Sequence, residues 1–288
     1  MNLFRKFISL LVSWLNRSFE PKEHLLCDYD RIRAEIKPCD VLLIDGRSRK
    51  DCVVHAISGS PWTHSVLYVG RLIDIDDPDL RTLIRQHIEC EPDTQLIVQA
   101  KLGQGICIRP LDELERENMR LCRPKGMADK DAVQVVRYAI SKLGADKEVY
   151  QLFDLLKFFF PWSWLPKGWR YPLFRHNPGA HSRLASSELI AEAFGFIQFP
   201  IMPLVKKTGA NGAQLFRRTP KLCLPSDIDV SPYFDVVKYP FIDFANYNGH
   251  NLLPWKGSGV LSGEENNLHL SHNSDENKLR VVKPSSGD

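Results

Sequence analysis

Apolar and polar positions follow two rhythms along this chain. The first twenty residues carry a helical one. Leu3, Phe4, Phe7, Ile8, Leu10, Leu11, Val12, Trp14, Leu15 and Phe19 make a wide apolar face. Asn2, Arg5, Lys6, Ser9, Ser13, Asn16, Arg17 and Glu20 make a narrow polar one, and this spacing predicts an amphipathic helix that Pro21 ends. Residues 1–22 therefore form their own unit. Three uses fit it: a helix docked on the protein's own core, an interfacial helix lying on a membrane, and a signal peptide. The last has the basic start and apolar run but no small-x-small cleavage site after it.

From about residue 38 the pattern becomes mixed. Val41–Ile44 reads as a short buried strand ending at the Asp45-Gly46 turn, and Ser65–Val69 as a strand stopped by Gly70. Leu96–Gln99 and Ile106–Ile108 read as two more, joined through Gly103 and Gly105. Residues 50–58 suit a short helix with Val53, Val54 and Ile57 inward. Over 130–143 the helical period is clear: Ala132, Val135, Val136, Ala139, Ile140 and Leu143 share a face, Asp129 caps it and Gly144 ends it. Ser187 to Phe194 is a further helix, with Gly195 as its stop.

Between those two helices lies an aromatic-rich insert at about 150–174. It holds Phe158, Phe159 and Phe160 and three of the six tryptophans, Trp162, Trp164 and Trp169. Lys157, Pro161 and Pro166 exclude a membrane-spanning helix there. A core-covering insert and an apolar lip that meets lipid both remain. After Trp255 apolar residues become few, so residues 251–288 are expected to be a polar, disordered tail. Residues 23–250 are left as the main domain.

Bulk composition narrows the function classes. The 288 residues are 43% hydrophobic and 25% charged, ordinary for a globular chain with a substantial core. A net charge of +3, without a Lys/Arg run or a stripe of bases among aromatics, gives no ground for nucleic acid as a partner. No 18-residue apolar run is present. The seven cysteines are odd in number and scattered, with no C-x-x-C and no zinc-like spacing, so neither a disulfide framework nor a metal site is expected. The expected location is cytoplasmic or membrane-peripheral, with secretion left open; no cofactor is implied, and the oligomeric state is not readable.

Three pieces carry candidate chemistry. His64 opens a strand after the Ser58-Gly-Ser-Pro-Trp-Thr63 turn, Gln99 ends another strand within Val98-Gln99-Ala100, and Ser186 opens a helix in Ala185-Ser186-Ser187-Glu188-Leu189. Taken singly, His64 is a structural histidine, Ser186 a helix cap and Gln99 a polar strand residue. Together they resemble the permuted branch of the NlpC-type papain-like superfamily, which includes the bacterial YiiX-like hydrolases and the lecithin:retinol acyltransferase-like enzymes. Pro38-Cys39-Asp40-Val41, Thr63-His64-Ser65-Val66-Leu67-Tyr68, Val98-Gln99-Ala100 and Ser186-Ser187-Glu188-Leu189 carry the likeness in order. Leu143-Gly144 with Tyr150, Pro225-Ser226-Asp227 and Ser231-Pro232-Tyr233-Phe234 extend it over roughly residues 30–240.

That resemblance implies an α+β fold: a small antiparallel sheet packed against the nucleophile helix, with a helical aromatic insert. It implies a cysteine hydrolase or acyltransferase working through a covalent acyl-enzyme. Position 186 is the nucleophile's seat at a helix N-terminus. His64 is the base and Gln99 orients it. Backbone N–H groups around Ser187 and Glu188 bind the oxyanion. Asp40, Thr63 and Tyr68 match structural positions of the motif, Tyr68 and Trp62 by packing. Rival bases on the sequence alone are His176 and His181, and His55 is expected at the surface.

Two residues depart from the family pattern. Serine stands at 186 where the family has cysteine, and glutamine at 99 where it has glutamate. Either a cysteine was replaced by design, the reading favoured because the surrounding pattern is kept, or a natural member uses or has lost this position; the codon in the native gene decides. The expected substrate is a lipid or other acyl ester or amide. Residues 1–20 and 150–174 are the expected peripheral membrane contacts. The alternatives are a peptidoglycan or peptide amidase and a non-catalytic membrane-associated binding module.

Overall fold

The computed structural model describes residues 10–17, 27–101, 104–145, 185–208 and 212–239, with the short strands 259–261 and 268–270. Six helices are used below: α1 (Tyr29–Glu35), α2 (Arg49–Ser58), α3 (Pro78–His87), α4 (Asp129–Ser141), α5 (Ala185–Phe196) and α6 (Pro225–Asp229). The strands are β1 (Val41–Asp45), β2 (His64–Arg71), β3 (Gln95–Lys101), β4 (Gly105–Pro110), β5 (Asn118–Pro124), β6 (Leu204–Thr208), β7 (Gly212–Phe216), β8 (Phe234–Val237), β9 (Gly259–Leu261) and β10 (Leu268–Leu270). The chain is α+β. Its central sheet is antiparallel and six-stranded, in the order β4-β3-β2-β1-β5-β8.

Both faces of this sheet are covered, which explains why its strands read as nearly continuous apolar runs. Val41, Leu43, Leu67, Val69, Leu96 and Val98 share one core with Val135, Ala139, Leu189, Ile190, Ala193 and Phe194 of α4 and α5. Leu42, Ile44, Val66, Tyr68, Ile97 and Leu121 share the other with Ile32 and Ile36 and with the 3₁₀ turn at Leu111–Leu114. The period-2 alternation of a strand sends successive side chains to these two cores.

Buried polar groups fix the register. Asp40, 1% exposed, takes a bidentate pair from Arg123 of β5 at 2.9 and 2.7 Å and a third bond from the Lys37 amide at 2.8 Å. Thr63 ties the start of β2 to the end of β1: its hydroxyl accepts from the Gly46 amide at 3.0 Å, and its own amide donates to the Ile44 carbonyl at 3.0 Å.

Several element ends differ from the sequence expectation. Strand β2 does not stop at Gly70 but runs to Arg71. Gly70 takes φ +99°, a left-handed value open to glycine, and absorbs a register shift against β3 there. The N-cap position of helix α4 is Ala128, not Asp129, and carries no side-chain cap; Asp129 and Asp131 lie in the first turn, where carboxylates suit the helix dipole. Helix α5 starts at Ala185 and passes through Gly195. It ends instead at Gln198, φ +64°, with the Phe199 amide reaching back to the Phe194 carbonyl at 2.9 Å, a Schellman turn without glycine. Ser186 is therefore inside the first turn of the helix rather than before it.

Three expected segments fall largely outside the described residues. Of the N-terminal helix, residues 10–15 are helical; Leu15 is fully buried and Trp14 lies under the Arg49 guanidinium at 4.7 Å, so this part is docked on the body. The aromatic insert at 150–174 and Tyr150 lie outside them. Within the expected tail, β9 and β10 pair as a two-stranded ribbon. No helix among the described residues is long and apolar enough to cross a membrane.

The Asp40–Arg123 pair carries a measurable asymmetry. Arg123→Met strands a buried carboxylate and is expected to cost about 3–5 kcal/mol. Asp40→Asn leaves a half-exposed guanidinium and is expected to cost about 1–3 kcal/mol. Urea unfolding of the two variants measures this; equal, small losses would show that the pair does not hold β5 in register.

Candidate active site

His64 is the first residue of β2, and Gln99 is the fifth of β3. The two are brought together: His64 Nε2 lies 2.8 Å from Gln99 Oε1. An amide oxygen only accepts, so this contact places the proton on Nε2 and leaves the Nδ1 lone pair free to take a proton. Gln99 is buried, which keeps the amide from swinging away to water.

A polar contact within an apolar interface helps hold helix α5 to this strand. Ser187 Oγ meets Ser65 Oγ at 3.2 Å, and both residues are fully buried. Below them Leu189, Ile190, Ala193 and Phe194 fill the core against β2 and β3. Each member of the Ser65–Ser187 contact is the chain neighbour of a candidate site residue. His64 and Ser186 consequently sit at the same end of the strand–helix pair. Ser186 is buried in the first turn of α5, where the backbone N–H groups of the helix start are unpaired within the helix.

The pleat adds a constraint. Ser65, Leu67 and Val69 face α5, so His64 leaves the strand on the side of its ladder partner Ile44, and Gln99 on the side of Ile97. The route from His64 to position 186 thus runs around the beginning of β2, not across its face. Among the described residues no hydrogen bond joins His64 to Ser186.

Charges surround the imidazole unevenly. Burial lowers the His64 pKa most, the Lys50 ammonium lowers it further and Lys101 adds to that, against the Gln99 contact and the Asp51 carboxylate. The result falls from 6.5 to about 4, so the ring is neutral at neutral pH, the form a general base needs. Asp51 is itself buried in a capping box with Ser48, whose amide and hydroxyl donate to its carboxylate at 2.9 and 2.5 Å. Burial would raise this carboxyl, but Lys50 and the Ser48 bonds bring it below the usual range. Lys50 and Asp51 were not expected near the site. The signal was present as Ser48-Arg49-Lys50-Asp51, a capping-box spacing, but nothing in it points to a strand beginning 13 residues later.

The remaining expected residues are placed as follows. Glu188 is buried in the first turn of α5. Tyr68 is buried, and burial pushes its hydroxyl up to about 12. Trp62 packs under Arg120 at 4.7 Å and donates from Nε1 to Asp229 at 3.1 Å. His55 is exposed on α2, while His176 and His181 lie outside the described residues.

Six of the seven described cysteines are disfavoured as rivals to position 186, and the seventh, Cys52, is exposed on α2 beside Asp51. Burial pushes the thiols of Cys39, Cys122 and Cys223 up to about 12 and those of Cys27, Cys90 and Cys107 upward, away from the nucleophilic thiolate. Cys107 pairs with Gln99 across the β3–β4 ladder, yet its thiol is among those raised. All seven cysteines are free. No group of three metal-ligating side chains is found among the described residues.

Comparison with models of known protein families and with curated proteins finds no match for this chain.

The depressed His64 pKa has a consequence for stability. The unfolded chain takes up this proton near pH 6.5 and the folded one only near 4. Stability is therefore unaffected by this group above pH 6.5 and falls as pH drops from 6.5 toward 4, at up to about 1.4 kcal/mol per pH unit. His64→Asn removes that proton, so the parent's stability relative to the variant is expected to decline on acidification through this window. Parallel urea titrations at several pH values check it; a constant difference would mean the imidazole is not held neutral.

Proposed function

We propose that this chain has the site of a permuted papain-like hydrolase or acyltransferase, acting on a lipid or other acyl ester or amide through a covalent intermediate at position 186. The observation that carries the reading is the 2.8 Å contact between His64 Nε2 and Gln99 Oε1. It fixes the tautomer that presents Nδ1 as a base, at the end of β2 nearest the start of α5. Acyl transfer to a side-chain nucleophile requires a neutral, oriented imidazole and a nucleophile at a helix N-terminus, and both parts are present at this end of the sheet.

In this reading a thiol at 186 gives its proton to His64 Nδ1 as sulfur attacks the carbonyl carbon. The oxyanion is met by N–H groups at the start of α5. The tetrahedral intermediate collapses as His64 returns the proton to the leaving alcohol or amine. Water or another acceptor, deprotonated by His64, then attacks the acyl-enzyme and frees the nucleophile. Gln99 stabilises the imidazolium through its dipole alone, so the ion pair depends on the nucleophile's own negative charge. Serine offers no thiolate at neutral pH. The low His64 pKa fits that absence, and the chain with Ser186 is expected to be inactive or very slow.

A second reading draws on the same residue. Ser186 carries a hydroxyl with no hydrogen bond to His64 among the described residues, which suits a non-catalytic module that has kept the fold. A peptide amidase remains the rival choice of substrate.

Ser186→Cys separates these. With a panel of acyl esters, phospholipids and short peptides, the cysteine form is expected to gain an acyl adduct by intact mass and to turn over. Adding His64→Ala is expected to lower that rate by about 10²- to 10⁴-fold. The His64 ring resonance is expected to titrate at higher pH in Ser186→Cys than in the serine chain, because a thiolate favours imidazolium. If no adduct forms and the two titrations coincide, His64 and position 186 do not act together, and the non-catalytic reading takes over.

A further inference from the structure

Beyond the last turn of α5 the chain forms an antiparallel ribbon, β6–β7, that is separate from the central sheet. Its register pairs Leu204 with Phe216 and Val205 with Leu215. These four residues are 47–60% exposed, and Phe196 beside them is 59% exposed. An isolated two-stranded ribbon is marginal in water, and four large apolar side chains at its base add to the cost of leaving it there. Leu215 and Phe216, with Phe196, Phe199, Ile201 and Met202, also line a groove of about 590 Å³ between the ribbon and α5.

Charge around this surface is mostly positive, although Glu192 lines the groove as well. Between Glu192 and Asp227 the sequence has Lys206, Lys207, Arg217, Arg218 and Lys221 and no carboxylate. Five cations thus lie in a chain whose net charge is only +3. Arg218 is paired with Asp227 at 2.9 Å. Lys206, Lys207 and Arg217 are exposed. They flank the apolar band on both sides along the ribbon, Lys206 and Lys207 toward its turn and Arg217 toward its base.

We infer that the β6–β7 ribbon and Phe196 dock on an anionic lipid bilayer surface. The pairs Leu204–Phe216 and Val205–Leu215 lie on the two faces of the ribbon; the ribbon enters the boundary between headgroups and acyl chains with both, and Lys206, Lys207 and Arg217 lie against lipid phosphates. Apolar area flanked by basic residues is the composition that binds such an interface. A second copy of the chain is a poor occupant, because it would bring five more cations against these five. The inference does not require position 186 to react, so it stands or falls apart from the proposed chemistry.

The test uses the full chain and sedimentable vesicles, of phosphatidylcholine alone and of phosphatidylcholine with phosphatidylglycerol. The parent is expected to bind the anionic vesicles, less so as salt rises, and to bind the neutral ones weakly. Lys206→Glu with Lys207→Glu, and separately Leu215→Ser with Phe216→Ser, are each expected to lower binding by roughly tenfold or more. All four positions are exposed, so thermal melts of both variants should match the parent. Parent-like binding by both variants, equal binding to both vesicle types, or no binding by the parent overturns the inference. So does a parent that sediments as a dimer which the Leu215/Phe216 variant dissolves, since the ribbon would then be a contact between copies.

Discussion

Burial of α5 against β2 and β3 is the constraint from which the rest of the arrangement follows. The helix presents Leu189, Ile190, Ala193 and Phe194 to the sheet, and these residues share a core with Leu67, Val69 and Val98. Hydrophobic packing of this kind has no direction of its own; it would tolerate the helix sliding or rotating. The Ser65–Ser187 contact supplies the direction. Two hydroxyls buried in this interface are 3.2 Å apart, and separating them without a replacement partner would cost about 1–3 kcal/mol. Satisfying them sets where the first turn of α5 lies along β2. His64 and Ser186, the chain neighbours of these two serines, are thereby set at the same end of the strand–helix pair.

A second layer of constraint acts on the imidazole. Thr63 pins the residue before it to β1, and Gln99 holds the ring from the neighbouring strand. Both are consequences of antiparallel pairing: β1 and β3 flank β2 and bring residues distant in sequence to the start of one strand. Lys50 and Asp51 are brought near by the capping box at the start of α2. Together these elements keep the ring oriented and uncharged without a carboxylate in contact with it. A carboxylate at position 99 would favour imidazolium and raise the resting pKa. Glutamine orients the ring at lower electrostatic cost, and a nucleophile that ionises at 186 would have to supply the missing negative charge.

Much of the fold could be read from the sequence because both faces of the sheet are buried. The apolar runs Val41–Ile44, Val66–Val69 and Leu96–Val98 marked β1, β2 and β3, and the 3.6-residue period marked α4. The ends are harder, since a glycine in the sequence reads as a stop. Gly70 and Gly195 are passed through, while Gln198 performs the turn assigned to Gly195, because hydrogen bonds to the preceding helix stabilise a left-handed residue that propensity alone disfavours. Of the site, His64, Gln99 and Ser186 were legible only as an ordered set that resembles a known pattern; each by itself had an ordinary structural explanation. Ser65 lies inside the strand motif and Lys50 and Asp51 inside a capping-box spacing, but neither spacing points to α5 or to the imidazole. Their parts depend on three-dimensional neighbours that no local spacing specifies.

The ribbon β6–β7 was invisible for a different reason. Leu204-Val205 and Leu215-Phe216 are apolar pairs within short strands, so neither alternation nor helical period distinguishes them from core residues. Only the structure shows them outside the core. The same region lacks carboxylates over its whole length, a property of composition that no secondary-structure pattern reports. Exposed apolar area and clustered positive charge are each commonplace on protein surfaces. Their coincidence on one ribbon, next to a groove that opens along α5, is less so. If the ribbon meets lipid, the helix that carries position 186 runs from the membrane-facing end of the molecule back toward His64.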